Sequence, residues 1–511
     1  MAIEKVKIIN KFFGGITRDE KSKITGVASN IEELDILSNA DFFQAEQIMS
    51  TDTLPASTEV YAYTSGKDGT AYAMGRETGA SKVRLLSVAT GGADNPSTFS
   101  TLFTSSDTLN LAYVVSPVEF FVTSESATGY LYYCTNFSGA IVLKRYDING
   151  ASESTVGTLT GLTGSYDRIT MKVIYGSLII TNGIYIATVD KDGVFTNAAF
   201  TLPNEWRSVD IVPVSDVSII LARYVDRTVN FSKGFWWDLT STLQFDDSFD
   251  IPAGGPQWMK NHKETIKMCF AINGIARFFQ LSGAYPGAVP IEIPGMTLSN
   301  IAAEGTTQPI SSSKMVAVKD KILYFGLYKT DKTGIYAIGN LDYDKTTALL
   351  LSKRFSTTSY ALHAPTSLFI QGPNYYASFS DNGTMSAVRC ESNNSPSRSS
   401  SGIYESIVID DDDPITDKDL KEVYVSVKPL PASTDVNVSI APDYGSYTEI
   451  FRADGTSLNT TSANLGEFKS KSFVGKKVFK VKLELVSSTT NSPKVSSIGL
   501  KLFIKRESAS K

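Results

Sequence analysis

The sequence predicts an all-β protein: a β-propeller followed by a C-terminal β-sandwich. Three observations carry this. Paired apolar, aromatic-rich strands joined by Gly or Asp-Gly turns recur along residues 59–390. After a Ser-rich stretch at 391–402, strict apolar/polar alternation takes over. No long window places apolar residues at i, i+3, i+4 and i+7, so the helical period is missing.

Residues 1–50 form an N-terminal arm expected to pack beside the first blade. Ile8 to Ile16 reads as a short strand ending in the Gly14-Gly15 turn. No helix with Gly-x-x-Gly spacing follows, so that turn is not a phosphate cradle. Ile31 to Leu37 reads either as a strand or as a helical turn capped by Ser29 or Asn30.

Residues 51–390 are the propeller. Hairpin-centred units fall near 59–87, 117–146, 169–194, 209–232, 265–294, 313–343 and 365–390. Their starts lie about 40–60 residues apart, which fits four-stranded blades with variable loops. Seven blades are favoured. The fourth unit carries the thinnest pattern, and without it the count is six. Asp192-Gly193, Asn273-Gly274 and Asn382-Gly383 are hairpin turn pairs, because a type I′ turn needs positive φ at both central residues. Residues 391–402 read as a polar linker. In 403–511, runs such as Val423-Tyr424-Val425-Ser426-Val427 and Lys480-Val481-Lys482-Leu483 alternate as strands with one wet face do, the pattern of a sandwich.

At 511 residues the chain suits a large repeat domain plus an accessory domain. The net charge of −5 argues against a protein that grips phosphates through a basic face. No apolar run approaches the roughly 18 residues of a membrane span, and the N-terminus lacks the apolar core of a signal peptide. The chain is therefore expected to be made in a cytoplasm without a signal sequence.

Chemistry-bearing residues are sparse. His262 and His363 have no partners at metal-ligand spacing. Cys134, Cys269 and Cys390 sit singly in strand-like runs and read as buried thiols rather than a disulfide framework. Ser65 to Thr70 and Ser380 to Thr384 resemble sialidase Asp-box turns loosely, with the wrong spacing and no Trp. A two-carboxylate glycosidase needs a raised-pKa acid facing an ionised partner. The candidates are Asp246, Asp247 and Asp250, which follow Phe235-Trp236-Trp237-Asp238. Those aromatics read first as core or interface anchors. Asp410-Asp411-Asp412-Asp413 reads as a solvated loop, with calcium as the sharper alternative. Asp190-x-Asp192-Gly193 is a fragment of a calcium loop and reads as a plain turn. No catalytic, cofactor-binding or metal residue is assigned, and no cofactor is expected.

Asn10-Lys11-Phe12-Phe13-Gly14-Gly15-Ile16-Thr17, followed by Asn30-Ile31-Glu32, resembles the opening of the tail tubular protein B (nozzle) family of short-tailed phages. That family is built on a β-propeller with added β-domains, as are the tail-hub packaged-DNA stabilisation proteins. Tyr404-Glu405-Ser406 and Leu430 to Val438 look like sandwich modules appended to phage structural propellers. The resemblance implies a non-enzymatic virion protein: a nozzle or hub subunit in a hexameric tail ring, touching adaptor or fibre proteins. Phage DNA would pass without specific binding. The alternatives are a receptor- or glycan-binding fibre or decoration protein, and a propeller glycosidase.

Overall fold

The computed structural model describes residues 2–9, 15–16, 27–32, 34–35, 43–45, 50–51, 53–67, 69–89, 98–108, 118–137, 140–162, 168–226, 228–240, 245, 247–262, 265–283, 287–299, 316–319, 322–327, 334–339, 348–353, 364–371, 374–380, 388–392, 398–410, 413–450, 465–469 and 473–505. They contain strands and turns and no helix. The chain divides into two compact units, one of residues 50–334 and 357–394, the other of 1–49, 335–356 and 395–511.

The larger unit is a β-propeller. Sheet 1 comprises Thr58–Ser65, Ala71–Glu77, Lys82–Ala89 and Thr98–Thr108. Sheet 2 comprises Val118–Thr123, Ser126–Phe137, Ala140–Asp147 and Ser152–Leu159. Sheet 3 comprises Met171–Ile174, Ser177–Asn182, Tyr185–Val189 and Phe195–Thr201. Sheet 4 runs through Trp206–Val214, Val217–Tyr224, Ser232–Trp237 and Asp247–Ile251. Sheet 5 runs through Pro256–His262, Thr265–Ile272, Ile275–Ser282 and Val289–Ser299. The hairpin Val316–Lys319 and Ile322–Leu327 follows. Sheet 6 holds Ala364–Gln371, Asn374–Ser380 and Val388–Ser392. Neighbouring strands within each sheet are antiparallel.

The first strands of successive sheets touch one another in a closed cycle. The cycle passes through the hairpin strand Val316–Lys319 and returns from Ala364–Gln371 to Thr58–Ser65. These strands are therefore the innermost ones. Closure is sealed at the rim, where Ser50–Thr51 pairs with Glu391 and Ser392 as the fourth strand of sheet 6. A sheet whose ends are joined this way leaves fewer open edges.

Packing between sheets explains the sequence pattern. Thr58–Ser65 is buried at every position but the last, because sheet 1 is covered on both faces. One face packs on sheet 2 through Tyr61, Leu85, Leu131 and Tyr133; the other packs on sheet 6 through Tyr63, Leu86 and Tyr376. Continuous apolar runs are what two-sided burial requires. Fourth strands such as Ser152–Leu159 are largely wet. At the closing seam, Tyr63 stacks on Phe369 at 6.0 Å and accepts a hydrogen bond from Ser378 Oγ at 2.9 Å. Tyr63→Phe keeps the ring contacts and removes that hydrogen bond, so it is expected to cost about 1 kcal/mol in a urea melt.

Turn chemistry matches in one case and differs in another. Asn273 and Gly274 both have positive φ, as a type I′ turn demands. At Asp192-Gly193 only Gly193 does. There the Asp190 carboxylate accepts the Asp192 and Val194 amides at 2.9 Å, building a wider side-chain-assisted turn. Asn382-Gly383 lies outside the described residues.

The smaller unit corrects two expected boundaries. Instead of an arm on the first blade, Ala2–Ile9 is a full antiparallel partner of Val495–Lys505, in register from Ala2↔Lys505 to Ile9↔Ile498. Lys418–Val427 and Leu465–Lys469 extend this sheet. The region 31–37 is extended, not helical, in its described residues: Val27–Glu32 pairs with Ser401–Ser406, and Ser29 Oγ donates to the Glu405 and Ser406 carbonyls rather than capping a helix. Ser401–Ser406 continues to Phe479–Val486, Asp435–Pro442 and Thr448–Ile450. Burial alternates along Ser401–Ser406 and Phe479–Val486, so each strand has one buried face. The expected linker 391–402 is trimmed at both ends by strands, and Arg398 within it donates to the Ala45 carbonyl at 2.6 Å.

Candidate functional site

Sheet 4 takes the expected aromatics inward. Phe235, Trp236 and Trp237 are all buried. Trp237 packs on Phe200 at 5.3 Å and Trp236 on Phe249 at 6.0 Å. Gly234 is required because a Cβ there would meet the Phe249 ring at 2.2 Å. Asp247 lies opposite Trp236 and Asp250 opposite Lys233 in the ladder. Three residues apart on a strand, their side chains leave from opposite faces. Asp247 accepts the Ser248 amide at 2.7 Å, and Asp250 pairs with Lys233 at 3.2 Å. The two are not a carboxylate pair across a cleft. Asp246 lies outside the described residues.

His262 is buried at the end of its strand, where its carbonyl accepts Thr265 Oγ1 at 3.0 Å. His363, Asp411 and Asp412 lie outside the described residues. No group of three metal-ligating side chains occurs among the described residues. Ser65 to Thr70 is a hairpin turn closed by Gly66 N donating to the Thr70 carbonyl at 2.8 Å. Burial pushes the Cys134 and Cys269 thiols up, away from the thiolate. Neither thiol is expected to react with iodoacetamide in the native protein. Peptide mapping with and without denaturant checks this. Cys390 lies on Val388–Ser392, and its side chain is outside the described residues.

Two buried polar clusters escaped the sequence reading. The first knits the innermost strands of sheets 3, 4 and 5. Fully buried Asp210 accepts Lys172 Nζ at 2.5 Å, the Met259 amide at 2.8 Å and its neighbour Ile211's amide at 2.8 Å. Thr170 Oγ1 donates to the Val209 carbonyl at 3.0 Å, and Asn261 donates to Pro213 at 2.9 Å. Arg168, just before sheet 3, reaches past sheet 4 to the Pro256 and Gln257 carbonyls at 3.0 and 3.1 Å. Arg168 thus ties the start of sheet 3 to the start of sheet 5.

The second cluster joins sheets 1 and 2. Lys144 Nζ lies 2.5 Å from Asp107 and 2.8 Å from Glu153. Ser105 Oγ donates to Glu153 at 2.6 Å, Thr135 Oγ1 donates to Asp107 at 3.2 Å, and the Tyr133 hydroxyl donates to Glu153. Both carboxylates are committed to the same ammonium. The signal for both clusters was a charge directly following an apolar run, as in Val209-Asp210-Ile211 and Ile141-Val142-Leu143-Lys144.

No family model matches this chain, and no curated protein does. Solved structures similar to it include an exo-β-1,3-galactanase from Phanerochaete chrysosporium: 10% identity, 89% of this chain and 100% of that one, TM-score 0.30. The β-propeller domain of the trilobed protease from Pyrococcus furiosus has 9% identity over 65% of this chain and 93% of that one, TM-score 0.37. An α-L-arabinofuranosidase from Fusarium graminearum has 12% identity over 56% and 93%, TM-score 0.35. Scores at this level carry no functional argument; the architecture rests on the strand pairing above.

Proposed function

We propose that this chain is a non-enzymatic structural protein of a tailed-phage virion, a subunit of a nozzle or hub ring at the tail. One observation carries the reading most: the ring of sheets is closed, and its buried charges at Asp210 and Lys144 are committed to protein partners. Such groups stiffen a scaffold. The seven-position cycle of innermost strands is read as seven blades, and the alternating sheets of the smaller unit as a sandwich. The N-terminal motif adds the resemblance to the nozzle family. Electron microscopy and mass spectrometry of purified particles test this. The protein should be found in the tail ring; its absence from the virion overturns the proposal.

A further inference from the structure

The ring of the larger unit is closed by a short clasp. In sheets 1 to 5 the fourth strand pairs with the third at four to seven positions. In sheet 6 it pairs at two, Thr51↔Glu391 and Ser50↔Ser392. The chain then crosses to sheet 1, where Thr53 bridges Thr98 and its carbonyl accepts the Phe99 amide at 2.9 Å. Leu54 packs on the cluster of Tyr63, Phe99 and Tyr376 that fills the seam. Residues 50–54 are therefore a strap laid over the junction of sheet 6 and sheet 1. At that junction side chains do the holding: Tyr63 lies 6.0 and 6.1 Å from Phe369 and Tyr376, and Ser378 Oγ donates to its hydroxyl.

Two ladder pairs are a weak fastening, and the strands they join are far apart in sequence, so closing them carries a loop entropy cost. The smaller unit offsets that cost, because both arms of the clasp start from one anchored point within it. Ala45 donates its amide to Ser492 Oγ at 2.8 Å, and its carbonyl accepts Arg398 Nη1 at 2.6 Å. The Arg398 amide donates to the Thr489 carbonyl at 2.8 Å. Four residues, 46–49, lead from Ala45 to Ser50, and five, 393–397, lead from Ser392 to Arg398. With Ala45 and Arg398 tied together, the loop that the clasp must close is reduced to these two short arms. Without the tie the ladder pairs are the same, and the loop is longer.

We propose that the smaller unit is the latch of the propeller. Releasing the anchor at Ala45 and Arg398 loosens the clasp and opens the ring at the seam between sheets 6 and 1, while the other blades stay folded. Local opening of this kind is drawn from the least fastened part of a fold. The two units communicate through the paired arms, so whatever displaces Arg398 from Ala45 acts on the ring without touching it.

The test is hydrogen exchange of the full chain, read by peptide. Arg398→Ala with Ser492→Ala removes the anchor. It should speed exchange in peptides spanning 50–54, 98–101 and 388–392 on the order of ten-fold, and leave 177–182 and 219–222 at the wild-type rate. A lock supplies the converse: Ser50→Cys with Ser392→Cys in a Cys390→Ser background. Opposed residues of an antiparallel ladder sit roughly 4.5–5.5 Å apart, within disulfide reach. Oxidising that pair should abolish the effect of the two alanine changes. Strap peptides that exchange no faster in the alanine variant overturn the latch, even if Phe479–Val486 of the smaller unit loosens, because the anchor is then gone either way. Faster exchange that the lock leaves in place, or that spreads equally to 177–182 and 219–222, overturns it as well.

Discussion

Asp210→Ala is expected to lower the unfolding free energy of the propeller by about 3–5 kcal/mol, the cost of breaking a buried ion pair by removing one partner. Asp210 is fully buried and holds three donors at once: Lys172 Nζ and the amides of Ile211 and Met259. Alanine leaves the sheet 5 amide without this acceptor and the Lys172 ammonium without its counter-charge, although Lys172 still donates to the Ile211 carbonyl at 2.9 Å. The urea midpoint should fall with little change in slope. Tryptophan emission reads this unit alone, because Trp206, Trp236, Trp237 and Trp258 are all of the chain's tryptophans and all lie in it. Asp210→Asn keeps an acceptor for one donor and should cost less. The combined change Asp210→Asn with Lys172→Met should recover part of the loss, because no charge is then left without a partner. A midpoint unmoved by Asp210→Ala would show that the inner strands are not held by this carboxylate.

That residue also marks where sequence reasoning stopped. The blade hairpins were legible because burial on both faces writes itself as runs such as Val60 to Tyr63 and Leu178 to Ile180, with turn glycines between. Asn273-Gly274 was legible because positive φ at two residues admits few alternatives. Closure was not. Ser50–Thr51 is two residues long and carries no periodicity; only its partner Glu391–Ser392, far along the chain, defines it. The N-terminal strand failed for the same reason. Nothing local in Ala2–Ile9 says that its partner is Val495–Lys505 rather than the first blade. The candidate carboxylates of sheet 4 failed differently. Asp247 and Asp250 are close in sequence, but a strand sends residues three apart to opposite faces. The charges that do converge, Asp107, Lys144 and Glu153, come from three strands of two sheets.

Lys144→Ala is expected to cost about 3–5 kcal/mol, because Asp107 and Glu153 would then face each other without a cation. Lys144→Met fills the space but leaves the same two charges, so it should rescue little unless Asp107→Asn accompanies it. The pH dependence separates this from lost packing. Burial disfavours the Lys144 ammonium, yet its hydrogen bonds to Asp107 and then Glu153 outweigh this and hold its pKa above the ordinary lysine value. A native pKa raised above the unfolded value gives stabilisation that is complete below the unfolded pKa, about 10.4, and is lost as pH climbs through the higher native value. Tyr133 acts in the same direction. Burial first, and then the bond to Glu153, raise its pKa, so the native phenol keeps a proton that the unfolded chain releases above about 10. Each group can steepen the alkaline fall in stability by up to about 1.4 kcal/mol per pH unit. Urea melts of the wild type from pH 8 to 11 should therefore show stability dropping above about 10, within the range where both groups titrate in the unfolded chain. In Tyr133→Phe that slope should be shallower, and in Lys144→Met with Asp107→Asn shallower at its upper end. An alkaline slope identical in all three proteins would mean that the cluster joining sheets 1 and 2 does not control the propeller's response to base.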